Sequence, residues 1–156
     1  MIEVIGKFDI EKVLEEIKTI SLDMEQVMLQ GVKGQHSKVF GTGSITKYDL
    51  EEKDFKYSIF DTLYTNSLLE EYNMVRTRIM TMPSKTCYSY HWDLSSRIHL
   101  PLITNDDCFF VIEDNVYRTP ADGSIYRVDT TKKHTFVNAS FDKRIHIMGV
   151  ENGTAD

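Results

Sequence analysis

The sequence predicts a mainly β fold in which N-terminal helices pack on a C-terminal β-barrel. Its 156 residues suit one domain with a sizeable core. Apolar residues near the N-terminus recur with helical spacing. After Tyr72 the chain divides into about six or seven short runs separated by turn residues, which is typical of an antiparallel sandwich or barrel. We therefore expect a single domain over residues 1–156, with helices and access loops in residues 1–73 and the barrel in residues 74–150.

The first half carries the predicted helices. Asp9 can cap a helix over residues 10–20, because an N-cap carboxylate accepts a hydrogen bond from a free backbone N–H. The apolar residues that define its buried face are Ile10, Val13, Leu14, Ile17 and Ile20. Glycines interrupt residues 31–48, which predicts a long connection of the kind that forms lids or binding loops. We expect the charged run DLEEKDFK to face solvent and a second helix to cover residues 67–72.

The second half has the alternation of β-strands. The predicted strands lie in MVRTRIMTMP, RIHLPLIT, CFFVIED, IYRVD, HTFVN and KRIHIMGV. Pro83, the tract Asn105–Asp107 and the run TPADGS separate them, as turn residues do. This spacing predicts the antiparallel strands of the barrel.

Composition and charge argue against several classes of protein. A net charge of −6 offers nothing to neutralise the phosphates of a nucleic acid. No apolar stretch reaches the roughly 20 residues that span a bilayer, and the first residues lack the layout of a signal peptide. Cys87 and Cys108 have no metal-type spacing, so we expect them to be reduced. These features predict a cytoplasmic protein that binds neither nucleic acid nor membrane.

His91 and Asp93 form a His-x-Asp pair. In an extended segment, side chains two residues apart point the same way, so the imidazole and the carboxylate can hold one metal ion. The pair alone is weak evidence, because an exposed carboxylate beside a half-buried histidine is the commoner arrangement.

Two later strands each carry an Arg-x-His pattern. Arg97 and His99 share one face of RIHLPL, and Arg144 and His146 share one face of KRIHIM, while the aliphatic residues between them face the other way. A solvated polar face would explain either strand alone. Together they indicate a pocket in which a guanidinium fork binds an acidic small molecule.

A third metal ligand must come from elsewhere in the chain. The candidates are His36, His99, His134 and His146. His36 lies in the glycine-rich connection and is expected to be solvated. His134 stands ten residues before Arg144, which suits neighbouring antiparallel strands. Two histidines and one carboxylate with open positions form the facial triad of non-haem Fe(II) oxygenases.

From His91 to Val150 the chain resembles the aspartyl/asparaginyl β-hydroxylase family of 2-oxoglutarate-dependent Fe(II) oxygenases. The matching pieces, in order and with similar spacing, are YHWD, RIHLPL, Gly123, HTFVNAS and RIHIMGV. The resemblance covers residues 74–150, and the first half shows no comparable match. It implies a double-stranded β-helix, the cupin-like jelly-roll barrel.

The resemblance also implies the residues of the site. The implied iron ligands are His91, Asp93 and His134. Arg144 corresponds to the arginine that pairs with the distal carboxylate of 2-oxoglutarate. Arg97 and His99 match the residues that help hold this cosubstrate. The family also places a hydroxyl residue near the cosubstrate, and whether Thr81 or Ser84 fills that place stays open.

The implied activity is hydroxylation of an amino-acid side chain, in a peptide or a free amino acid, with O₂ consumed and succinate and CO₂ released. Ascorbate would support the iron. Two other functions stay open: a metal-binding cupin-type barrel that does not use 2-oxoglutarate, and a catalytically silent binding domain. The sequence predicts neither the substrate nor the oligomeric state.

Overall fold

Three antiparallel sheets, of six, four and two strands, and two short α-helices make up the computed structural model, which describes residues 1–153. The helices are α1 (Ile10–Ile17) and α2 (Leu63–Glu71), and two 3₁₀ turns cover Thr46–Tyr48 and Glu52–Asp54. The strands are β1 (Ile2–Lys7), β2 (Gln26–Met28), β3 (Gln30–Gly31), β4 (Tyr57–Ser58), β5 (Met74–Met82), β6 (Thr86–Cys87), β7 (Arg97–Ile103), β8 (Cys108–Ile112), β9 (Asn115–Tyr117), β10 (Ser124–Val128), β11 (His134–Asn138) and β12 (Arg144–Glu151). The mainly β class with helices in the first half is confirmed.

The larger sheet has the strand order β1-β10-β7-β12-β5-β2, and the smaller one has the order β6-β11-β8-β9. Their inner faces meet in an apolar cluster to which the larger sheet gives Met82 and Val128 and the smaller gives Phe110, Ile112 and Phe136. Strands with one face toward this cluster and one toward the helices bury both faces. This explains why β7 is buried from Arg97 to Leu102.

The helices cover the outer face of the larger sheet. Val13 and Ile17 of α1 pack with Leu68 of α2 over Ile98 and Leu100 of β7. This placement follows from the alternation of β7, whose aliphatic residues turn toward the helices as predicted. The polar side chains of the same strand are thereby directed between the two sheets.

Both predicted helices exist with different bounds. Asp9 caps α1 as expected, accepting a hydrogen bond from the Lys12 N–H at 3.2 Å. This helix ends at Ile17 rather than residue 20, and α2 starts four residues before the predicted position. The Glu16 carboxylate accepts hydrogen bonds from the backbone N–H groups of Tyr64 and Thr65, both at 2.8 Å, and so satisfies the free donors at the start of α2.

The first 73 residues also supply strands, which the sequence prediction did not include. β1 pairs with β10 along one edge of the larger sheet, and β2 pairs with β5 along the other. The connection that follows β2 packs on its own cluster of Met28, Ile45 and Phe55. Neither α-helix in the described part of the chain has the length or apolar character needed to cross a membrane.

Candidate metal centre and ligand pocket

His91 and His134 are brought together by an isolated antiparallel bridge at the start of β11. The backbone N–H of each histidine donates to the carbonyl of the other, at 3.0 and 2.8 Å. Two residues further on, the N–H of Asp93 donates to the carbonyl of Thr130 at 2.8 Å, which turns the carboxylate toward the two rings. One ligand atom from each of the three side chains lies within 4.8 Å of the others.

The backbone also fixes which ring nitrogen of each histidine is free. Nδ1 of His91 lies 2.7 Å from the carbonyl oxygen of Ser89, and Nδ1 of His134 lies 2.9 Å from that of Lys132. Since a carbonyl only accepts, Nδ1 carries the proton and the lone pair of each neutral ring is on Nε2. These Nε2 atoms face Asp93 at 3.8 Å from His91 and 3.6 Å from His134. Burial lowers the pKa of His134, which favours the neutral, ligating form.

The three donors fit a divalent first-row metal. Two imidazole nitrogens and one carboxylate oxygen are borderline and hard ligands of the kind that non-haem Fe(II) takes. Hydrogen bonds from the second ring nitrogen to backbone carbonyls are the usual outer support of metal-binding histidines. His91, Asp93 and His134 are thus placed as a metal site requires.

Asp93 is also held from behind by a charged network. Nη2 of Arg97 lies 3.6 Å from Asp93 Oδ1 and 3.4 Å from Glu52 Oε2. The same Glu52 oxygen is 3.2 Å from Nη1 of Arg76. Glu52 belongs to the run predicted to face solvent, and its side chain is instead only 23% exposed. The network joins the connection after β2 to the metal site.

Arg144 lies at the base of the pocket and is 2% exposed. Its guanidinium packs 4.0 Å from the centre of the Phe136 ring, and Nη2 is 3.6 Å from the sulfur of Met82. Neither Nε nor Nη1 has a hydrogen-bond partner among residues 1–153. Burial lowers the pKa of Arg144 to about 10. A buried fork with unused N–H groups fits a carboxylate.

His99 and His146 form a buried pair beside this arginine. Their Nδ1 atoms are 3.1 Å apart, so one nitrogen donates a proton and the other accepts it. Burial holds the pKa of both rings well below the ordinary value, and both are neutral at pH 7. The two rings together form an uncharged surface between β7, which carries Arg97, and β12, which carries Arg144.

These side chains meet in one cavity of about 310 Å³ between the two sheets. All six predicted site residues line it: His91, Asp93, Arg97, His99, His134 and Arg144. His146 lies behind His99, and His36 is exposed, as expected. Neither Thr81 nor Ser84 is among the lining residues.

The sequence prediction missed several polar residues around this pocket, and Ser89 and Thr130 are among those that line it. Gln26 and Arg78 line the wall formed by β2 and β5, and Glu52 supports Asp93 through Arg97. The only sequence signal for Arg78 was its place in an alternating strand, and Gln26 and Glu52 stand in segments without a diagnostic pattern.

Comparison with known proteins agrees with the family resemblance. A family model described as aspartyl/asparaginyl beta-hydroxylase matches residues 14–149, which extends the likeness well into the first half. No curated protein matches the chain. Among solved structures, a predicted oxalate decarboxylase from Thermotoga maritima is 13% identical, with a TM-score of 0.42 over 55% of this chain and 72% of that one.

Proposed function

Because the chain belongs to the aspartyl/asparaginyl β-hydroxylase family, we propose that it is an Fe(II)- and 2-oxoglutarate-dependent dioxygenase. The reaction would convert a substrate C–H bond, O₂ and 2-oxoglutarate into the hydroxylated product, succinate and CO₂. One observation carries the proposal: a His-Asp-His donor set and a buried arginine with two nitrogens lacking partners among residues 1–153 share one small cavity.

The strand order supports a double-stranded β-helix as the framework. Along the chain, β5 to β12 alternate between the two sheets except at the hairpin of β8 and β9. An eight-stranded jelly roll has two such sheets with an interior wide enough for a ligand. The proposed metal ligands stand on the smaller sheet and the segment leading to β7, facing the larger sheet.

His91, Asp93 and His134 would hold the iron. With 2-oxoglutarate bound, iron supplies O₂ activation and the abstraction of hydrogen from a substrate C–H bond. The chain keeps both imidazoles in the ligating tautomer through the carbonyls of Ser89 and Lys132. It orients the carboxylate through Arg97, whose Nη1 donates to the hydroxyl of Ser95 at 2.8 Å.

Arg144 would bind the distal carboxylate of 2-oxoglutarate. Its Nε and Nη1 have no partner among residues 1–153, and a carboxylate could accept two parallel hydrogen bonds from Nη2 together with either of them. Phe136 and Met82 shield the guanidinium from water, which strengthens this ion pair. His99 lines the space between Arg144 and the metal donors, so its ring would contact the cosubstrate. Arg97 would act chiefly on Asp93 and Glu52, with which it already pairs.

Release of CO₂ from labelled 2-oxoglutarate tests the proposal. Purified protein with Fe(II) and ascorbate should release labelled CO₂ even without substrate, and 2-oxoglutarate should raise the Tm only when a divalent metal is present. His134→Ala should abolish both effects, whereas Arg118→Met, at an exposed position, should change neither. Absence of CO₂ release together with absence of a metal-dependent shift in the unaltered protein would contradict the proposal.

A further inference from the structure

Arg78 is a second buried arginine in the pocket, and the proposed reaction does not use it. It lies on β5 and is 7% exposed. Its closest polar contact is a 4.0 Å approach of Nη2 to the sulfur of Met148, and Nε has no partner among the described residues. No carboxylate in residues 1–153 pairs with it, in contrast to Arg76 and Arg97, which share Glu52. A buried cation in this state is suited to an anionic ligand.

The strand register separates Arg78 from Arg144. Met148 of β12 stands opposite Arg78, whereas Arg144 stands opposite Met82. The two levels are four residues apart along β5, which corresponds to roughly 14 Å. The charged groups near Arg78 are the cations Arg76 and Arg97 and the carboxylates Glu52 and Asp93, so it belongs to the end of the pocket that holds the carboxylate ligand. The two arginines therefore lie at separate levels of the pocket.

Gln26 supplies a polar group beside Arg78. It stands opposite Met80 in the pairing of β2 with β5, which makes it a diagonal neighbour of Arg78 on the pocket face. Its Oε1 is buried and has no partner among residues 1–153. A free guanidinium next to a free amide oxygen offers a carboxylate site beside an acceptor for an ammonium group. That combination is complementary to an α-amino acid.

We propose that Arg78 binds a carboxylate of the substrate at a position separate from that of 2-oxoglutarate, and that this substrate is a free amino acid whose ammonium group reaches Gln26. The inference rests on the proposed function and names the substrate class of the same site. The cavity of about 310 Å³ supports a small ligand, because it lies at the lower end of the range for small-molecule pockets.

Binding can be measured without turnover. The full chain is loaded with Zn(II) and 2-oxoglutarate, and its Tm is recorded with each of the common free L-amino acids, with their α-carboxamides, and with N-acetylated, C-amidated peptides that contain one Asp or Glu. The same panel is repeated without metal and without 2-oxoglutarate. The variants are Arg78→Met, Arg78→Lys and the exposed control Arg118→Met.

We expect at least one free amino acid to raise the Tm while its carboxamide does not. Arg78→Met should weaken that amino acid by roughly 30-fold or more, because it removes one partner of a buried charge pair. Arg78→Lys should restore part of the affinity, and Arg118→Met should bind as the unaltered protein does. A response from capped acidic peptides alone, lost in Arg78→Met, would support carboxylate binding and overturn the free amino acid as its source.

Two results would overturn the inference itself. Carboxamides that bind as well as the acids, or no response from either panel, would show that Arg78 does not select a carboxylate. A loss of 2-oxoglutarate binding in Arg78→Met as large as in Arg144→Met would place Arg78 in the cosubstrate site. Failure of the proposed function is distinguishable, because it would remove CO₂ release and the 2-oxoglutarate shift while the metal-free panel still reports on Arg78.

Discussion

Replacement of Arg144 by methionine should change stability and cosubstrate binding in opposite directions. Methionine resembles the aliphatic part of arginine and can fill the space beside Phe136 and Met82 without a charge. A purely structural arginine would stabilise the free protein. An arginine that serves to bind the carboxylate of a ligand would instead lower the stability of the ligand-free protein.

The magnitude follows from the buried charge. Burial lowers the pKa of Arg144 from its ordinary value to about 10, a difference that corresponds to about 3 kcal/mol. Because the folded pKa is the lower one, the unfolded chain binds the proton more tightly, and the penalty applies in full at pH 7 and fades only above about pH 10. The contact with the Phe136 ring offsets about 1–2 kcal/mol of it. The metal-free variant should therefore gain about 1–2 kcal/mol, or about 3–6 °C in Tm.

Binding of 2-oxoglutarate should weaken by about 2–5 kcal/mol in the same variant, because its carboxylate would lose the most deeply buried guanidinium among the described residues of the pocket. Thermal unfolding of metal-free protein gives the first quantity, and titration of Zn(II)-loaded protein with 2-oxoglutarate gives the second. Arg118→Met controls for loss of a positive charge elsewhere. A lower Tm combined with unchanged 2-oxoglutarate affinity would refute the assignment of Arg144 to the cosubstrate.

Three further outcomes are expected. His134→Ala should weaken Co(II) binding by more than about 100-fold in an absorption titration, because it removes a direct ligand and outer-sphere changes alone give 10- to 100-fold; retained affinity would contradict the ligand set. Glu52→Gln should weaken Co(II) binding by about 10-fold. Arg97 would then pair with Asp93 alone and make this carboxylate a weaker metal ligand, whereas Glu51→Gln, at an exposed position, should leave Co(II) binding unchanged. As pH drops below about 6.5, the free energy of unfolding should fall by up to about 1.4 kcal/mol per pH unit for each of His99 and His146. Burial lowers the pKa of both rings in the folded state, so the unfolded chain binds more protons. Urea titrations that give the same stability at pH 7.5 and 5.5 would exclude a buried neutral pair.

The two Arg-x-His faces could be predicted because the alternation of a strand is a local property. In β7 the aliphatic residues had to take one side, so Arg97 and His99 had to take the other, whatever packed on each. The spacing of His134 and Arg144 predicted neighbouring antiparallel strands, and this was wrong, because β11 belongs to the smaller sheet and β12 to the larger one. Alternation shows on which face of a strand a side chain lies but not how deeply it is buried. It therefore did not predict that Arg144 would be only 2% exposed.

Arg78 shows where this reasoning fails. Arg76 and Arg78 stand two residues apart, and simple alternation would give both the same face. The backbone of Arg76 instead adopts a left-handed φ of 49°, and the pairing with β12 shifts register between Met148 and Val150. Arg76 consequently turns toward Glu52, while Arg78 turns into the pocket. Such an irregularity depends on tertiary contacts that no periodicity reveals.

The pocket also shows why net charge describes a surface better than a site. The chain is acidic overall, at −6, yet Arg144 and Arg78 are both buried in one cavity without a carboxylate partner in the described part of the chain. Burial, with the cations Arg76 and Arg97 nearby, lowers the pKa of Arg78 to about 9, so this residue carries a penalty of its own besides that of Arg144. A protein of this size has only about 5–15 kcal/mol of stability, so two such penalties are a large fraction of it. Anions that enter the cavity would offset both penalties, and the proposed function would supply two separate carboxylate groups, one from the cosubstrate and one from the molecule to be hydroxylated.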